Sequence, residues 1–194
     1  MGASINQAER ELYEQLKVFV MAATDFSQSQ KADSQLFITT ALLQLLEKEH
    51  LTKITVAQVS KRSGVSRTAF YRHFDSLEQV LKRHFQVEIQ PLFDMLNENH
   101  TQYYKIKAQE AFFQAFEKQL KNAVVSGYEP IIQEVFNEAM AKFYQSEYDE
   151  FTASFMAAGV YALWRKWLMM DKPFPLADMH TRLQAVGQAL PRKK

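Results

Sequence analysis

The sequence predicts an all-α fold. Only 5 Gly and 5 Pro occur among 194 residues, while 47% of the residues are hydrophobic, so the chain has few breaks and much surface to bury. Apolar residues recur at helical spacing in one segment after another, and no segment shows the alternation of a half-buried strand. A third observation is a tight turn between two short helical segments near Gly64, which predicts a helix-turn-helix.

The composition excludes several classes of protein. The chain has no cysteine, which removes disulfide frameworks, thiolate metal sites and thiol nucleophiles. No run of about 18 apolar residues is present, so no membrane span is expected. The first residues lack the basic and apolar regions of a secretion signal. We therefore expect a cytoplasmic protein that needs no cofactor and no metal.

Three regions are predicted along the chain. Residues 1–32 would form an extra N-terminal helix, at 5–26, and a polar linker. Residues 33–85 would form the helix-turn-helix domain, with Asp33 as the N-cap of a first helix that ends near His50. Residues 86–194 would form a helical bundle for dimerisation and ligand binding, with helices at 108–125, 129–144, 149–170 and 176–190.

The turn has the residue types that a helix-turn-helix requires. Thr55 would cap the first short helix, Gly64 would take the positive φ of the turn, and Ser66 would cap the second short helix. A long helix begins at Asp75 or Ser76 and would link the two halves of the chain, and Pro91 is a candidate site for a kink or a break in it.

Basic residues concentrate in the same tract. The chain carries a net charge of only +1, but eight basic and five acidic residues give residues 33–85 a net charge of +3. Between positions 53 and 74 no acid occurs, which is the electrostatic pattern of a nucleic-acid interface, although a solvated surface remains an alternative. The basic residues of this acid-free window are Lys53, Lys61, Arg62, Arg67 and Arg72.

The second short helix has the chemistry of a DNA-reading helix. Four of its residues, Arg67, Thr68, Ala69 and Arg72, should face outward, while Phe70 and Phe74 hold the helix to the core. An arginine can donate two hydrogen bonds to guanine, and alanine or threonine can contact the methyl group of thymine.

These motifs resemble the TetR family of bacterial regulators. The resemblance is carried by Ile38-x-x-Ala41, Ile54-Thr55-Val56-x-x-Val59, Ser63-Gly64-Val65-Ser66-Arg67 and Phe70-Tyr71-Arg72-His73-Phe74. It implies that Thr55, Tyr71 and His73 contact phosphate, and that Ser66, Arg67, Thr68, Ala69 and Arg72 complete the DNA-binding set. Alternatively, Tyr71 and His73 are surface residues that support local packing.

Three positions depart from the family pattern. Ser60 replaces the usual Ala, Thr68 replaces a frequent Gly, and Leu77 replaces a phosphate-binding Lys at the start of the fourth helix. Because Lys82 and Arg83 are a turn or more away, neither can simply substitute. DNA affinity should therefore depend more on Lys61, Arg62 and the helix ends.

The family also implies a homodimer that reads a palindromic DNA operator. The stretch 155–168, with Pro173 and Met179, resembles the DhaS-like subgroup. We expect the dimer interface on the helices at 149–170 and 176–190, where small residues permit close approach and a tryptophan buries area. Its candidate residues are Ala158, Gly159, Ala162 and Trp164, with an internal core seam as the alternative.

A hydrophobic small-molecule effector is the second implied partner. Aromatic and sulfur-containing residues are frequent in the C-terminal half, where they could line a pocket or simply fill the core. The candidate pocket residues are Phe112, Phe116, Phe136, Met140, Phe155 and Met156.

The resemblance implies a DNA-binding transcription regulator, a repressor that an effector releases from its operator. The alternative is a TetR-like interaction partner without operator binding, which Leu77 supports and the retained Arg67, Tyr71 and Arg72 oppose. Nothing indicates an enzyme: the chain lacks a Gly-rich phosphate loop, and Glu47-x-x-His50 is a single pair where a di-iron bundle needs two.

Overall fold

The computed structural model describes residues 30–97, 102–190 and 192, and within these ranges all regular structure is helical. The predicted helix at 5–26 lies outside the described residues. The N-terminal domain comprises α1 (Gln30–Leu46), a short 3₁₀ turn (Leu51–Lys53), α2 (Val56–Ser63) and α3 (Arg67–His73). The prediction of Asp33 as N-cap is wrong: α1 begins before it, and Asp33 lies in the first turn.

A long helix, α4 (Leu77–Asn97), joins this domain to the C-terminal bundle, which comprises α5 (Gln102–Ser126), α6 (Glu129–Tyr144), α7 (Glu150–Met169) and α8 (Leu176–Ala189). The Ser76 hydroxyl accepts a hydrogen bond from Gln79 N at 3.2 Å, and Gln79 Oε1 accepts one from Asp75 N. These two side chains together cap the start of α4. Pro91 lies inside α4 and does not end it.

One hydrophobic core runs through both halves of the described chain. At the N-terminal end Ile38, Leu42 and Val59 are fully buried, and Phe85 on α4 stacks on Tyr128 with ring centroids 5.9 Å apart. In the bundle several aromatic core residues meet edge to face, which is a favourable arrangement for aromatic pairs. These contacts include Phe93 with Phe136, Phe113 with Trp164 and Phe136 with Trp164.

Polar contacts fix the N-terminal domain to the bundle. The Ser126 hydroxyl at the end of α5 donates a 2.6 Å hydrogen bond to the carbonyl of Leu46 at the end of α1. Next to it the imidazole of His50 lies so close to Gly127 that a Cβ there would fall 2.0 Å from His50 Nε2. Lys82 on α4 binds Glu134 and Glu138 on α6. The position of the helix-turn-helix therefore depends on contacts with the bundle.

No helix in the described ranges is long and apolar enough to cross a membrane.

Candidate nucleic-acid interface

The turn between α2 and α3 has the predicted geometry. Thr55 accepts a hydrogen bond from Gln58 N, and Gln58 Oε1 accepts one from Thr55 N at 2.7 Å, which completes a capping box. Gly64 ends α2 with φ 73° and ψ 2°, the left-handed conformation that glycine adopts at little cost. Ser66 then caps α3 by accepting from Ala69 N at 3.1 Å. All three predictions for the turn are confirmed.

Aromatic residues on one face anchor α3 to the domain core. Phe70 is fully buried and Phe74 is 3% exposed, and their ring centroids are 6.0 Å apart. Val59 of α2 is fully buried in the same core. Because α3 has only seven residues, this packing rather than intrinsic helix propensity must hold it in place.

The opposite face of α3 is open to solvent. Arg67, Thr68 and Arg72 are exposed, and Ala69 beside them is half-buried. Arg67 and Arg72 form no ion pair or hydrogen bond with any described side chain, so both guanidinium groups are available to a ligand. The structure thus brings the predicted base-reading residues together on one accessible surface.

Two further side chains flank this surface. Tyr71 is 52% exposed, with its ring edge-on to Phe70 at 5.4 Å. His73 is half-buried, and its Nδ1 lies 3.4 Å from Gln35 Nε2 on α1. Since the Gln35 amide nitrogen can only donate, His73 Nδ1 must accept, which leaves the proton of a neutral imidazole on Nε2. That proton is suited to donate a hydrogen bond to a phosphate oxygen.

Thr55 is placed less favourably for phosphate binding. Its hydroxyl is exposed, but it already donates to Gln58 Oε1 at 2.8 Å. A phosphate contact by this hydroxyl would therefore have to replace the bond to Gln58. The contact remains a prediction.

All five basic residues of the acid-free window, Lys53, Lys61, Arg62, Arg67 and Arg72, are exposed. Arg62 Nε donates to Gln44 Oε1 on α1 at 2.8 Å, which orients its guanidinium group along the domain surface. Lys82 is not available in the same way, because Glu134 and Glu138 hold its ammonium group at 2.7 and 2.9 Å. The positive charge near α3 therefore comes from the five basic residues between positions 53 and 74.

Two of the residues that depart from the family pattern, Leu77 and Ser60, are buried. Leu77 is 8% exposed and belongs to the hydrophobic core, so this position packs the start of α4 where the family pattern has a lysine. Ser60 is also 8% exposed, and its hydroxyl oxygen is buried without a hydrogen-bond partner among the described residues. A buried hydroxyl without a partner costs free energy.

The predicted dimer residues separate onto two faces of α7. Ala158, Gly159 and Ala162 are exposed, whereas Trp164 is 4% exposed and packs against Phe113. Trp164 is therefore a core residue, and its assignment to the dimer interface is wrong. The physical reason is helix geometry, since two residues place Trp164 about 200° around the axis from Ala162.

The predicted pocket residues also separate. An open cavity of about 740 Å³ lies between α4, α5, α6, α7 and α8, and Met140 and Met156 line it. Phe112, Phe116 and Phe136 are buried in the core and do not line this cavity. Phe155 is 62% exposed on the outer face of α7, so its assignment to the pocket is wrong.

Sequence reasoning missed the polar residues of the cavity. Gln109 on α5 is 2% exposed, and its Oε1 lies 3.0 Å from Nε2 of His180 on α8. Both residues line the cavity. The available signal was Gln109 itself, a polar residue set among apolar and aromatic ones where the helix faces the core.

A second polar cluster lies on α4. His84 Nε2 lies 3.2 Å from Glu88 Oε1 and 3.2 Å from Gln119 Nε2. Burial lowers the pKa of His84 to about 4 and raises the pKa of Glu88 to about 7. The sequence pattern did not predict this buried cluster on the linking helix.

Residues 38–83 match the family model of bacterial regulatory proteins of the tetR family. The match runs from α1 through the helix-turn-helix into α4, so the N-terminal domain is a TetR-type helix-turn-helix DNA-binding domain. This is the DNA-binding domain of a transcription regulator. The match does not reach residues 155–168, and the DhaS-like resemblance has no support from it. No curated protein matches the chain.

Proposed function

We propose that this protein is a sequence-specific transcription regulator, a repressor that a small-molecule effector releases from its operator. The observation that carries the proposal is the exposed face of α3, where Arg67 and Arg72, which have no partner among the described residues, lie on a helix capped by Ser66 and anchored by Phe70. Arginines in that setting can read guanine from the major groove, while Tyr71 and His73 contact the flanking phosphates. A chromosomal operator implies action in the cytoplasm.

Selective reading requires two copies of the chain. A single α3 contacts only a few base pairs, whereas two copies about 34 Å apart read both halves of a palindrome. The exposed face of α7 supports such a dimer, because Phe151 is 87% and Phe155 is 62% exposed at the spacing of one helical stripe. Ala158 and Ala162 continue this stripe and allow close approach of a partner helix.

The dimer can be tested by placing a charge on this stripe. Ala158→Arg should convert the protein to a monomer in sedimentation velocity and should weaken operator binding, since one half-site would be lost. Lys142→Ala, on an exposed position of α6, is the control and should leave both properties unchanged. A dimer that persists in the Ala158→Arg variant would contradict the proposed interface.

Effector release requires a connection between the cavity and α3, and α4 supplies it. Leu77 at the start of α4 packs in the helix-turn-helix core, and Leu96 near its end lines the cavity. The two residues are about 29 Å apart along the helix axis. A ligand that binds best to one position of α4 would shift the spacing of the two recognition helices in the dimer.

Selection of genomic fragments by the purified protein tests DNA reading most simply. We expect a small set of fragments that share a palindrome, and we expect Arg67→Ala and Arg72→Ala to lose this enrichment. Lys118→Ala removes one exposed positive charge far from α3 and should retain it. Absence of enrichment for the wild-type protein would favour the alternative, a TetR-like interaction partner, which the buried Leu77 and the paired Lys82 support.

A further inference from the structure

The cavity between α4 and α8 has two chemically different sides. Leu96, Met140, Phe143, Met156 and Val160 form an apolar side. Gln109, His180, Thr181, Gln184 and Gln188 form a polar side. At about 740 Å³ the cavity is in the size range that holds a drug-sized molecule. A purely hydrophobic ligand would offer no acceptor to the amide nitrogen of Gln109, the buried member of this polar group.

The deepest polar group is the amide of Gln109. This residue is 98% buried, and its only hydrogen-bond partner among the described side chains is His180, which meets the amide oxygen at 3.0 Å. The amide nitrogen, with two hydrogens to donate, meets no acceptor in the described part of the chain. This nitrogen is not among the polar atoms that are fully shielded from solvent, so it is accessible from the cavity and can donate to a ligand there.

The deep part of the cavity also carries no net charge. Burial lowers the pKa of His180, so its imidazole is neutral at neutral pH. The charged residues that line the cavity, Glu147 and Arg192, are both more than half exposed and lie 3.5 Å apart, close enough to neutralise each other. A charged ligand would therefore lose its hydration without gaining an ionic partner at depth.

We propose that the cavity binds an uncharged, amphipathic small molecule whose carbonyl oxygen accepts a hydrogen bond from Gln109 Nε2. The apolar part of the molecule would pack against Met140 and Met156, whose flexible side chains adapt to irregular shapes. This inference rests on the proposed function, because it specifies the chemistry of the effector. It also replaces the hydrophobic effector that the sequence predicted with one that needs a polar group.

Three probes of similar size distinguish a neutral carbonyl ligand from an apolar ligand and from an anion. Acetophenone has a neutral carbonyl, ethylbenzene has none, and benzoate is an anion. Their binding to the full-length protein can be ranked by ligand-observed NMR titration. We expect acetophenone to bind about tenfold more tightly than ethylbenzene, because only acetophenone pairs the buried amide. Benzoate should bind more weakly than acetophenone. Equal binding of acetophenone and ethylbenzene, tightest binding of benzoate, or no binding at all would overturn the proposal.

The variant Gln109→Leu removes the amide with little change in side-chain volume. It should reduce the preference for acetophenone over ethylbenzene to less than about twofold, whereas Gln114→Leu, at an exposed position of α5 that does not line the cavity, should keep the preference. Persistence of the preference in Gln109→Leu would contradict the role of Gln109. If this variant does not fold, the ranking of the three probes on the wild-type protein still tests the proposal.

Operator binding is measured separately, without a probe. A wild-type protein that ranks the probes as expected but selects no DNA would refute the proposed regulator and leave the ligand site in place. A protein that selects its operator but ranks the probes differently would refute only the ligand chemistry.

Discussion

The helix-turn-helix and the C-terminal bundle place their functional groups in opposite ways. On α3 the proposed base-reading side chains, Arg67 and Arg72, are exposed and have no ion-pair or hydrogen-bond partner among the described residues, and a buried apolar face beneath them supplies stability. In the bundle the polar groups of the proposed ligand site, buried Gln109 and half-buried His180, meet between helices that are distant in sequence. Local signals therefore determine the helix-turn-helix surface, and long-range packing determines the proposed ligand site.

The same substitution at two glycines compares a local backbone requirement with a long-range packing contact. Gly64 and Gly127 have φ of 73° and 78°, so alanine is strained at both. At Gly64 an added Cβ meets nothing within 4 Å, whereas at Gly127 it meets the His50 ring. Gly64→Ala should lower the free energy of unfolding by about 1 kcal/mol, the cost of the strained backbone alone. Gly127→Ala should lower it by about 2 kcal/mol, because the contact between the two regions is also lost.

Urea denaturation of these variants in a His50→Ala background completes the test. Removing the ring should reduce the cost of Gly127→Ala to that of Gly64→Ala, since only backbone strain remains. The cost of Gly64→Ala should not change. Equal effects of the two glycine substitutions in the wild-type background would mean that the His50–Gly127 contact contributes nothing to stability.

The buried cluster on α4 predicts a pH dependence that arises in the linking helix. Burial raises the pKa of Glu88 from its usual value near 4.5 to about 7. The stability that the buried, protonated carboxyl contributes is therefore fully present below about pH 4.5. Stability is then lost as the pH rises through about 7, where the buried carboxylate must ionise. Glu88→Gln should remove this loss and melt several degrees above the wild type at pH 8.

Thermal melting at pH 5 and pH 8 measures the effect. At pH 5 the two proteins should differ little, because Glu88 is protonated in the folded wild type. Glu78→Gln, an exposed position on the same helix, should show no such change with pH. A wild-type advantage at pH 8 would indicate that ionised Glu88 is stabilised, most simply by a protonated His84.

The smallest effect is expected inside α2. Ser60 has a buried hydroxyl without a partner among the described residues, so Ser60→Ala should raise the free energy of unfolding by about 1 kcal/mol. The Ser63 hydroxyl, in contrast, donates to Ser60 O and accepts from Val65 N, and Ser63→Ala should lower it by a similar amount. Chemical denaturation checks both signs. Destabilisation by Ser60→Ala would show that this hydroxyl has a partner in solution.

The sequence predicted the parts of the fold that local chemistry controls. The caps at Thr55 and Ser66 and the turn at Gly64 follow from residue type and spacing, and all three were confirmed. The N-cap prediction for Asp33 was wrong because an acidic residue suits both the N-cap and the first turn of a helix. The sequence alone does not distinguish these two positions.

The errors in the bundle have a different origin. Trp164 and Phe155 were assigned by residue type, as a large interface residue and as an aromatic pocket residue, although helix geometry places Phe155 on the face of Ala162 and Trp164 opposite it. Gln109 stands out in the sequence as a polar residue among apolar ones, but its contact with His180, 71 positions away, could not be predicted. Such pairs become visible only when the helices are packed.

The central claim, that α3 reads DNA with a small set of exposed cations, is tested most directly by the salt dependence of operator binding. Fluorescence anisotropy should give a linear fall of log K with log salt concentration for the wild type. Arg67→Ala combined with Arg72→Ala should abolish the preference for operator over unrelated DNA, because these side chains are proposed to read bases. Lys61→Ala combined with Arg62→Ala should instead make the slope shallower by about 2 per protomer and leave the preference in place. An unchanged preference in the Arg67 and Arg72 double variant would contradict the account.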